Sequence, residues 1–139
     1  MTTLDVLAAR LRAELGADRI VNDRQELRTY ECDGLAHYKV TPGLVVLPRD
    51  AAECARTVKA CVEAGVPFVA RGSGTGLSGG ANAVDGCVVL SLEAMSEILE
   101  INPLERLAVV QPGVVNDDLR AAVAEHGFCL LYTSDAADE

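Results

Sequence analysis

The residues most able to do chemistry fall in one segment, Arg71-Gly72-Ser73-Gly74-Thr75-Gly76-Leu77-Ser78-Gly79-Gly80, where five of ten are glycine. Glycine has no Cβ to hold a ligand away from the backbone, and it accepts positive φ. Successive N–H groups can therefore converge on one anionic oxygen as a nest. Phosphate is the natural guest. Ser73, Thr75 and Ser78 can add hydroxyl donors, and Arg71 before the first glycine can add positive charge.

Readings of this loop differ in what must follow it. A P-loop closes on Gly-Lys-Ser/Thr, and no lysine occurs after Lys59, which excludes it. The dinucleotide fingerprint G-x-G-x-x-G is matched formally by Gly74, Gly76 and Gly79, but it needs a helix immediately afterwards to hold the pyrophosphate. Only Ala81 to Gly86 separate the loop from the next apolar run, and Asn82, Asp85 and Gly86 are turn formers. The match is therefore weak. It stands beside a phosphate-wrapping loop on another scaffold and a glycine-rich turn with no ligand.

The elements that must position the loop are readable on both sides of it. Thr3 can cap a first helix carrying Leu4, Leu7, Ala8, Leu11 and Leu15 at helical spacing, and Gly16 can stop it in the left-handed C′ conformation. From Ala17 to Pro42 the pattern breaks into short pieces, including Tyr30-Glu31-Cys32-Asp33-Gly34 and His37-Tyr38, and reads as irregular connection. Leu44-Val45-Val46-Leu47, bounded by Gly43 and Pro48, is a strand buried on both faces. Asp50-Ala51-Ala52-Glu53 is a capping box opening a helix through Cys54, Val58, Cys61 and Val62 to Gly65.

Pro67-Phe68-Val69-Ala70 then completes a β-α-β unit whose strands are expected to be parallel in one sheet. Beyond the loop, Cys87-Val88-Val89-Leu90, Ile98-Leu99-Glu100-Ile101 and Leu107-Ala108-Val109-Val110 are short β-rich runs, with turn residues such as Asn102-Pro103 between them. Asn116 caps a last helix bearing Leu119, Ala122 and Val123, which ends at Gly127. The expected class is α+β, a mixed sheet with flanking helices and no internal repeat.

Composition narrows the function classes. With 139 residues, 50% hydrophobic and 24% charged, the chain is of ordinary soluble globular type and one domain is expected. Its 12 basic and 21 acidic residues give a net charge of -9, which repels phosphate backbones and anionic lipid, so nucleic acid is not an expected partner. No stretch approaches a transmembrane segment, and Asp5, Arg10, Arg12 and Glu14 interrupt any secretory signal.

The five cysteines form no CxxC and no Cys/His ligand spacing, so no metal site is expected and the thiols point to a reducing compartment. Cys54 and Cys61 share a helix face as small hydrophobes. His37 reads as a loop residue, and His126 as a cation complementing a helix end.

Thr75-Gly76-Leu77-Ser78-Gly79-Gly80, together with Tyr30-Glu31-Cys32-Asp33-Gly34, Leu44-Val45-Val46-Leu47-Pro48, Asn102-Pro103 and Gln111-Pro112-Gly113-Val114, resembles the FAD-linked catalytic subunits of bacterial glycolate oxidase. The chain is also similar to D-lactate dehydrogenases and the wider vanillyl-alcohol-oxidase (PCMH-type) FAD fold. The resemblance runs in order from about Asp23 to Phe128.

It implies the first subdomain of a two-subdomain FAD-binding domain. The loop's Arg71, Gly72, Ser73, Gly74, Thr75, Gly76, Ser78 and Gly79 would wrap the FAD pyrophosphate, Pro48 would lie near the adenine end, and Gly113 would pass close to the cofactor. Some relatives attach FAD through a histidine in this loop. Here the loop has none, so non-covalent FAD is expected.

By the same resemblance the full-length protein would oxidise a small 2-hydroxy acid, glycolate or D-lactate, to the 2-oxo acid. Electron-transfer partner subunits would carry electrons onward, placing a cytoplasmic protein peripherally at the inner membrane.

After His126-Gly127-Phe128 the resemblance stops. Residues 129–139, from Cys129 to Glu139, resemble the translation of a transposase adapter from sequencing-library preparation, so the natural sequence is expected to reach only Phe128 in this chain. Residues 1–128 are then the N-terminal part of the FAD-binding domain. Setting the tail aside removes the acids Asp135, Asp138 and Glu139 and the thiol of Cys129. The flavin-ring half of the site and the substrate cap would lie beyond Phe128, so no catalytic residue is named. The alternative is a non-catalytic flavin- or nucleotide-binding module, or an inert stub with an exposed apolar face.

Overall fold

A computed structural model of the chain describes residues 2–34 and 36–130. Two compact units divide between Met95 and Ser96. Of the adapter-like tail, Cys129 and Leu130 are described and residues 131–139 lie outside the described residues.

In the first unit, α1 (Thr3–Leu15) leads through a 3-10 turn to β1 (Ile20–Val21) and the short α2 (Arg24–Leu27). There follow β2 (Leu44–Val46), α3 (Ala51–Ala64), β3 (Phe68–Arg71) and β4 (Val88–Ser91). The sheet order is β1-β2-β4-β3. β4 runs parallel to β2, with Leu44 opposite Val88 and Val46 opposite Leu90, and parallel to β3, with Phe68 opposite Val88 and Arg71 opposite Ser91. β2 and β3 are therefore parallel as expected, with β4 inserted between them. β1 joins antiparallel at the β2 edge.

Side-chain alternation explains the continuous apolar runs. Leu44, Val46, Val88 and Leu90 pack on Leu7 and Leu11 of α1 and Ala60 and Cys61 of α3. Val45, Cys87 and Val89 face the other way, against Leu27 and Ala83. A strand covered on both faces has no polar side to show. Each such side chain contributes about 1.5–3 kcal/mol through burial. The buried thiols of Cys61 and Cys87 act as hydrophobes, and burial raises both above the ordinary thiol value. Cys54 is half-buried with its Sγ 3.5 Å from the Met95 sulfur.

Several local expectations shift. The first helix is capped by Thr2 rather than Thr3, in a box where Thr2 accepts from the Asp5 N–H and Asp5 accepts from the Thr2 N–H. Gly16 adopts φ 105 and ψ 152, outside the left-handed helical region, although its N–H still reaches the Arg12 carbonyl. At α3, Asp50 accepts from the Glu53 N–H at 2.7 Å. Glu53 answers to the N–H of Arg49, one residue before the cap, at 2.8 Å. Gly65 closes α3 in the left-handed conformation, φ 65 and ψ 28. Residues 17–42, expected to be irregular, contain β1 and α2. Two- and four-residue elements are too short for periodicity to show.

The second unit is β5 (Ile98–Asn102), β6 (Leu107–Val110) and α4 (Asn116–Ala124). β5 and β6 pair antiparallel in their own sheet instead of extending the mixed sheet. A short turn lets neighbouring strands satisfy each other, and the Asn102 side chain accepts from the Glu105 N–H to close it. Val115, not Asn116, is the N-cap of α4, and no side chain caps it. Among the described residues α4 buries none of its own, and Leu104 is 93% exposed.

Candidate cofactor-binding site

Parallel β2, β3 and β4 bring their carboxyl ends to one edge of the sheet. In open α/β sheets ligands bind in the crevice outside that edge. Three segments leave it: Leu47-Pro48 after β2, the glycine loop directly after β3, and Leu92-Glu93 directly after β4. Pro48 is fully buried there. The Leu92 N–H donates to the Arg71 carbonyl at 2.8 Å, so the ladder holds up to the first residue before the loop.

The loop itself is largely exposed, and residues 72–87, all described, contain no helix. Its glycines divide by physical role. Gly74 and Gly79 have φ of 72 and 76, in the left-handed region. Gly72, Gly76 and Gly80 have no positive φ and nothing within 4 Å of an added Cβ. The protein's own packing places no demand for glycine at these three positions. Bare backbone facing open space is what an approaching ligand requires.

Among the described residues, the N–H groups of Gly72, Ser73, Gly74, Thr75, Gly76, Leu77 and Ser78 donate to no other protein group. Ser73 Oγ and Thr75 Oγ1 lie 3.2 Å apart. N–H groups without a protein partner, three of them on the glycines Gly72, Gly74 and Gly76, fit an anionic pyrophosphate.

Beneath the loop runs Tyr30-Glu31-Cys32-Asp33-Gly34. Arg71 is 8% exposed, and its Nη1 donates to the Cys32 carbonyl at 2.8 Å. The guanidinium carbon stands 5.7 Å from the centroid of the Tyr30 ring, a cation–π distance. Tyr30 donates its hydroxyl to Glu93 Oε1 at 2.8 Å. Burial first, and that bond second, push the phenol up to about 12. An added Cβ at Gly74 would collide with the Arg71 guanidinium.

The Gly34 N–H donates to the Gly76 carbonyl at 2.9 Å. The buried Asp33 accepts from the Gly79 N–H at 2.9 Å, and its own N–H donates to Asn82 Oδ1 at 2.9 Å.

Of the residues singled out from sequence, Pro48 and Arg71 to Gly79 are brought to this one sheet edge. Arg71 lies under the loop in contact with Cys32 and Tyr30, and the Gly79 N–H is turned inward onto Asp33. Gly113 belongs to the second unit, in a turn where the Val114 N–H reaches the Gln111 carbonyl at 3.2 Å. His126 is exposed just past α4. Sequence reasoning missed Asp33, Gly34 and Asn82 as partners of the loop. The Asp33-Gly34 dipeptide was visible as a turn, but periodicity carries no sign of a contact across more than 40 residues.

The glycine loop at this edge has N–H groups with no protein partner and no helix behind it, which is neither the P-loop nor the Rossmann arrangement. The chain belongs to the FAD binding domain family, whose pattern matches residues 42–138. It is 42% identical over 129 residues to glycolate oxidase subunit GlcD of Escherichia coli K12, a match covering 93% of this chain and 26% of that one. It is 34% identical over 119 residues to D-2-hydroxyglutarate dehydrogenase of Stutzerimonas stutzeri, covering 86% and 25%.

Among solved structures, 4-ethylphenol oxidase from Gulosibacter chungangensis superposes with a TM-score of 0.81 at 25% identity, over 90% of this chain and 25% of that one. The chain thus spans about a quarter of the length of these relatives. The fold is the PCMH type expected from the resemblance, and the cofactor of the family is FAD.

Proposed function

We propose that Arg71–Gly80 holds the pyrophosphate of FAD without a covalent bond, and that the chain is the N-terminal FAD-binding part of a flavin-dependent 2-hydroxy-acid dehydrogenase. The carrying observation is the run of N–H groups from Gly72 to Ser78 that donate to no other protein group among the described residues, with open space at Gly72, Gly76 and Gly80. When bound, FAD supplies an acceptor for the electron pair that leaves the substrate carbon as a hydroxy acid becomes a 2-oxo acid. The residues of this chain bind and orient. The loop N–H groups hold negative charge in place, Gly72 and Gly76 admit it to the backbone, Pro48 is proposed to lie near the adenine end, and Gly113 is proposed to pass close to the cofactor.

Similarity to the glycolate and hydroxyglutarate enzymes supports a small 2-hydroxy acid as substrate of the whole protein. Similarity to a protein named as a glycolate oxidase subunit supports electron-transfer partner subunits, and through them a cytoplasmic position peripheral to the inner membrane. No helix among the described residues is long and apolar enough to cross a membrane. The tail 129–139 is proposed to be foreign. A sequencing read across the Phe128 and Cys129 codons that returns the same residues refutes this.

A second reading, a non-catalytic module or inert stub, draws on Leu99, Leu104, Leu107 and Val109, all exposed in the second unit. Titrating the purified chain with FAD separates the two. Retained flavin at one per chain, released completely by acid precipitation, supports the non-covalent site. A colourless, aggregating product refutes it, and flavin that stays with the precipitate refutes the non-covalent claim.

A further inference from the structure

We infer that Asp33 is a positioning residue for the glycine loop: its carboxylate takes the Gly79 N–H out of the anion site and, with Gly34, sets which loop N–H groups face the ligand. This rests on the flavin reading and adds to it the donor set and what selects it.

Peptide planarity carries the inference. In a trans peptide the C=O and the following N–H point in opposite directions. The Gly76 carbonyl is drawn toward the floor by the Gly34 N–H at 2.9 Å. The Leu77 N–H, in the same peptide plane, must then point away from the floor, toward the open side. At Gly79 the order is reversed. Its N–H is held inward by Asp33 Oδ2 at 2.9 Å, which turns the Ser78 carbonyl outward. An outward carbonyl repels an anion, so the donor run ends at the Ser78 N–H. Gly79, singled out from sequence as a cofactor contact, acts instead as the point where the loop is tied down.

The floor is built to hold these ties. Asp33 is 6% exposed, and its N–H is anchored on Asn82 Oδ1 at 2.9 Å, just past the loop. An added Cβ at Gly34 would stand 2.8 Å from the Thr75 carbonyl oxygen and 3.0 Å from that of Gly76. The floor therefore touches the loop backbone as closely as a glycine allows. Arg71 fastens the other end through the Cys32 carbonyl at 2.8 Å. A floppy loop would lose entropy on ordering around a phosphate, and tying it beforehand removes that loss from binding.

The test is FAD affinity by flavin fluorescence, with thermal unfolding of each protein in parallel, on the unaltered chain, Asp33→Ala, Asp33→Asn and Gly34→Ala. Asparagine keeps an oxygen acceptor for the Gly79 N–H, whereas alanine does not. We expect Asp33→Ala to weaken FAD binding about 10- to 100-fold, as leaving an inward-turned donor without its acceptor does. Asp33→Asn should restore affinity to within about threefold of the unaltered chain. Gly34→Ala, at an exposed position, should weaken binding about tenfold while the chain stays folded.

Unaltered affinity in folded Asp33→Ala overturns the inference and leaves the flavin reading standing. Equal loss in the alanine and asparagine variants overturns it too, because charge rather than an acceptor would then matter. If Asp33→Ala does not fold, Gly34→Ala decides: unchanged affinity there overturns the inference. A folded, unaltered chain that binds no FAD overturns the flavin reading on which it rests.

Discussion

Replacing single loop glycines should separate stability from binding, because the structure gives the glycines different neighbours. At Gly76 an added Cβ meets nothing within 4 Å, and φ is not positive. Gly76→Ala should leave the cofactor-free protein as stable as before or raise it by about 0.4–1 kcal/mol, since alanine restricts the unfolded chain. On the proposed site, the same methyl would stand in the path of the phosphate to the N–H groups. FAD affinity should fall about tenfold or more, or about 1.4 kcal/mol.

Gly74→Ala should instead destabilise the cofactor-free protein. Its φ of 72 costs a side chain about 1–2 kcal/mol. The methyl also displaces the Arg71 guanidinium from its 2.8 Å bond to the Cys32 carbonyl, a charge-assisted contact of about 1.5–3 kcal/mol. A combined loss of about 3 kcal/mol lowers Tm by about 10 °C in a domain of this size. Urea or thermal unfolding of the cofactor-free proteins, alongside flavin-fluorescence titration, reads both quantities. If Gly76→Ala destabilises the free protein and leaves FAD affinity intact, the space there serves packing, and the loop assignment fails.

Other outcomes follow from single contacts. Asp50→Ala removes the acceptor of the Glu53 N–H at the start of α3 and should cost about 1 kcal/mol in chemical denaturation. Ser91→Ala should raise stability by about 1 kcal/mol, because the fully buried Ser91 hydroxyl has no partner among the described residues; a lower Tm would show that it has one. Tyr30 sits with its phenol pushed up to about 12 by burial and then by Glu93. The folded state therefore prefers the protonated phenol, and this contribution to stability is whole below the ordinary 10.0 and is lost as pH rises from there to about 12. Tyr30→Phe should flatten that stretch of a Tm-against-pH curve, and an unchanged slope would contradict the assignment.

Sequence alone determined the parts of this protein governed by neighbours along the chain. The run Leu44–Leu47, the Asp50 cap and the Gly65 stop are local signals, and each fell within a residue or two of its place. Glycine density marked the loop, and the motifs around it placed the chain in its family. Tertiary structure decided what depends on pairing across the chain. It inserted β4 between β2 and β3, separated the β5–β6 hairpin from the mixed sheet, and formed the two-residue β1 against β2.

It also set Tyr30–Gly34 under the loop, with Asp33 on Gly79 and Arg71 on Cys32. Hydrogen bonds between residues 39 and 46 positions apart leave no periodicity and no local propensity behind. A backbone N–H looks the same in every sequence, so only the folded chain could show which of them the loop turns outward and which it keeps.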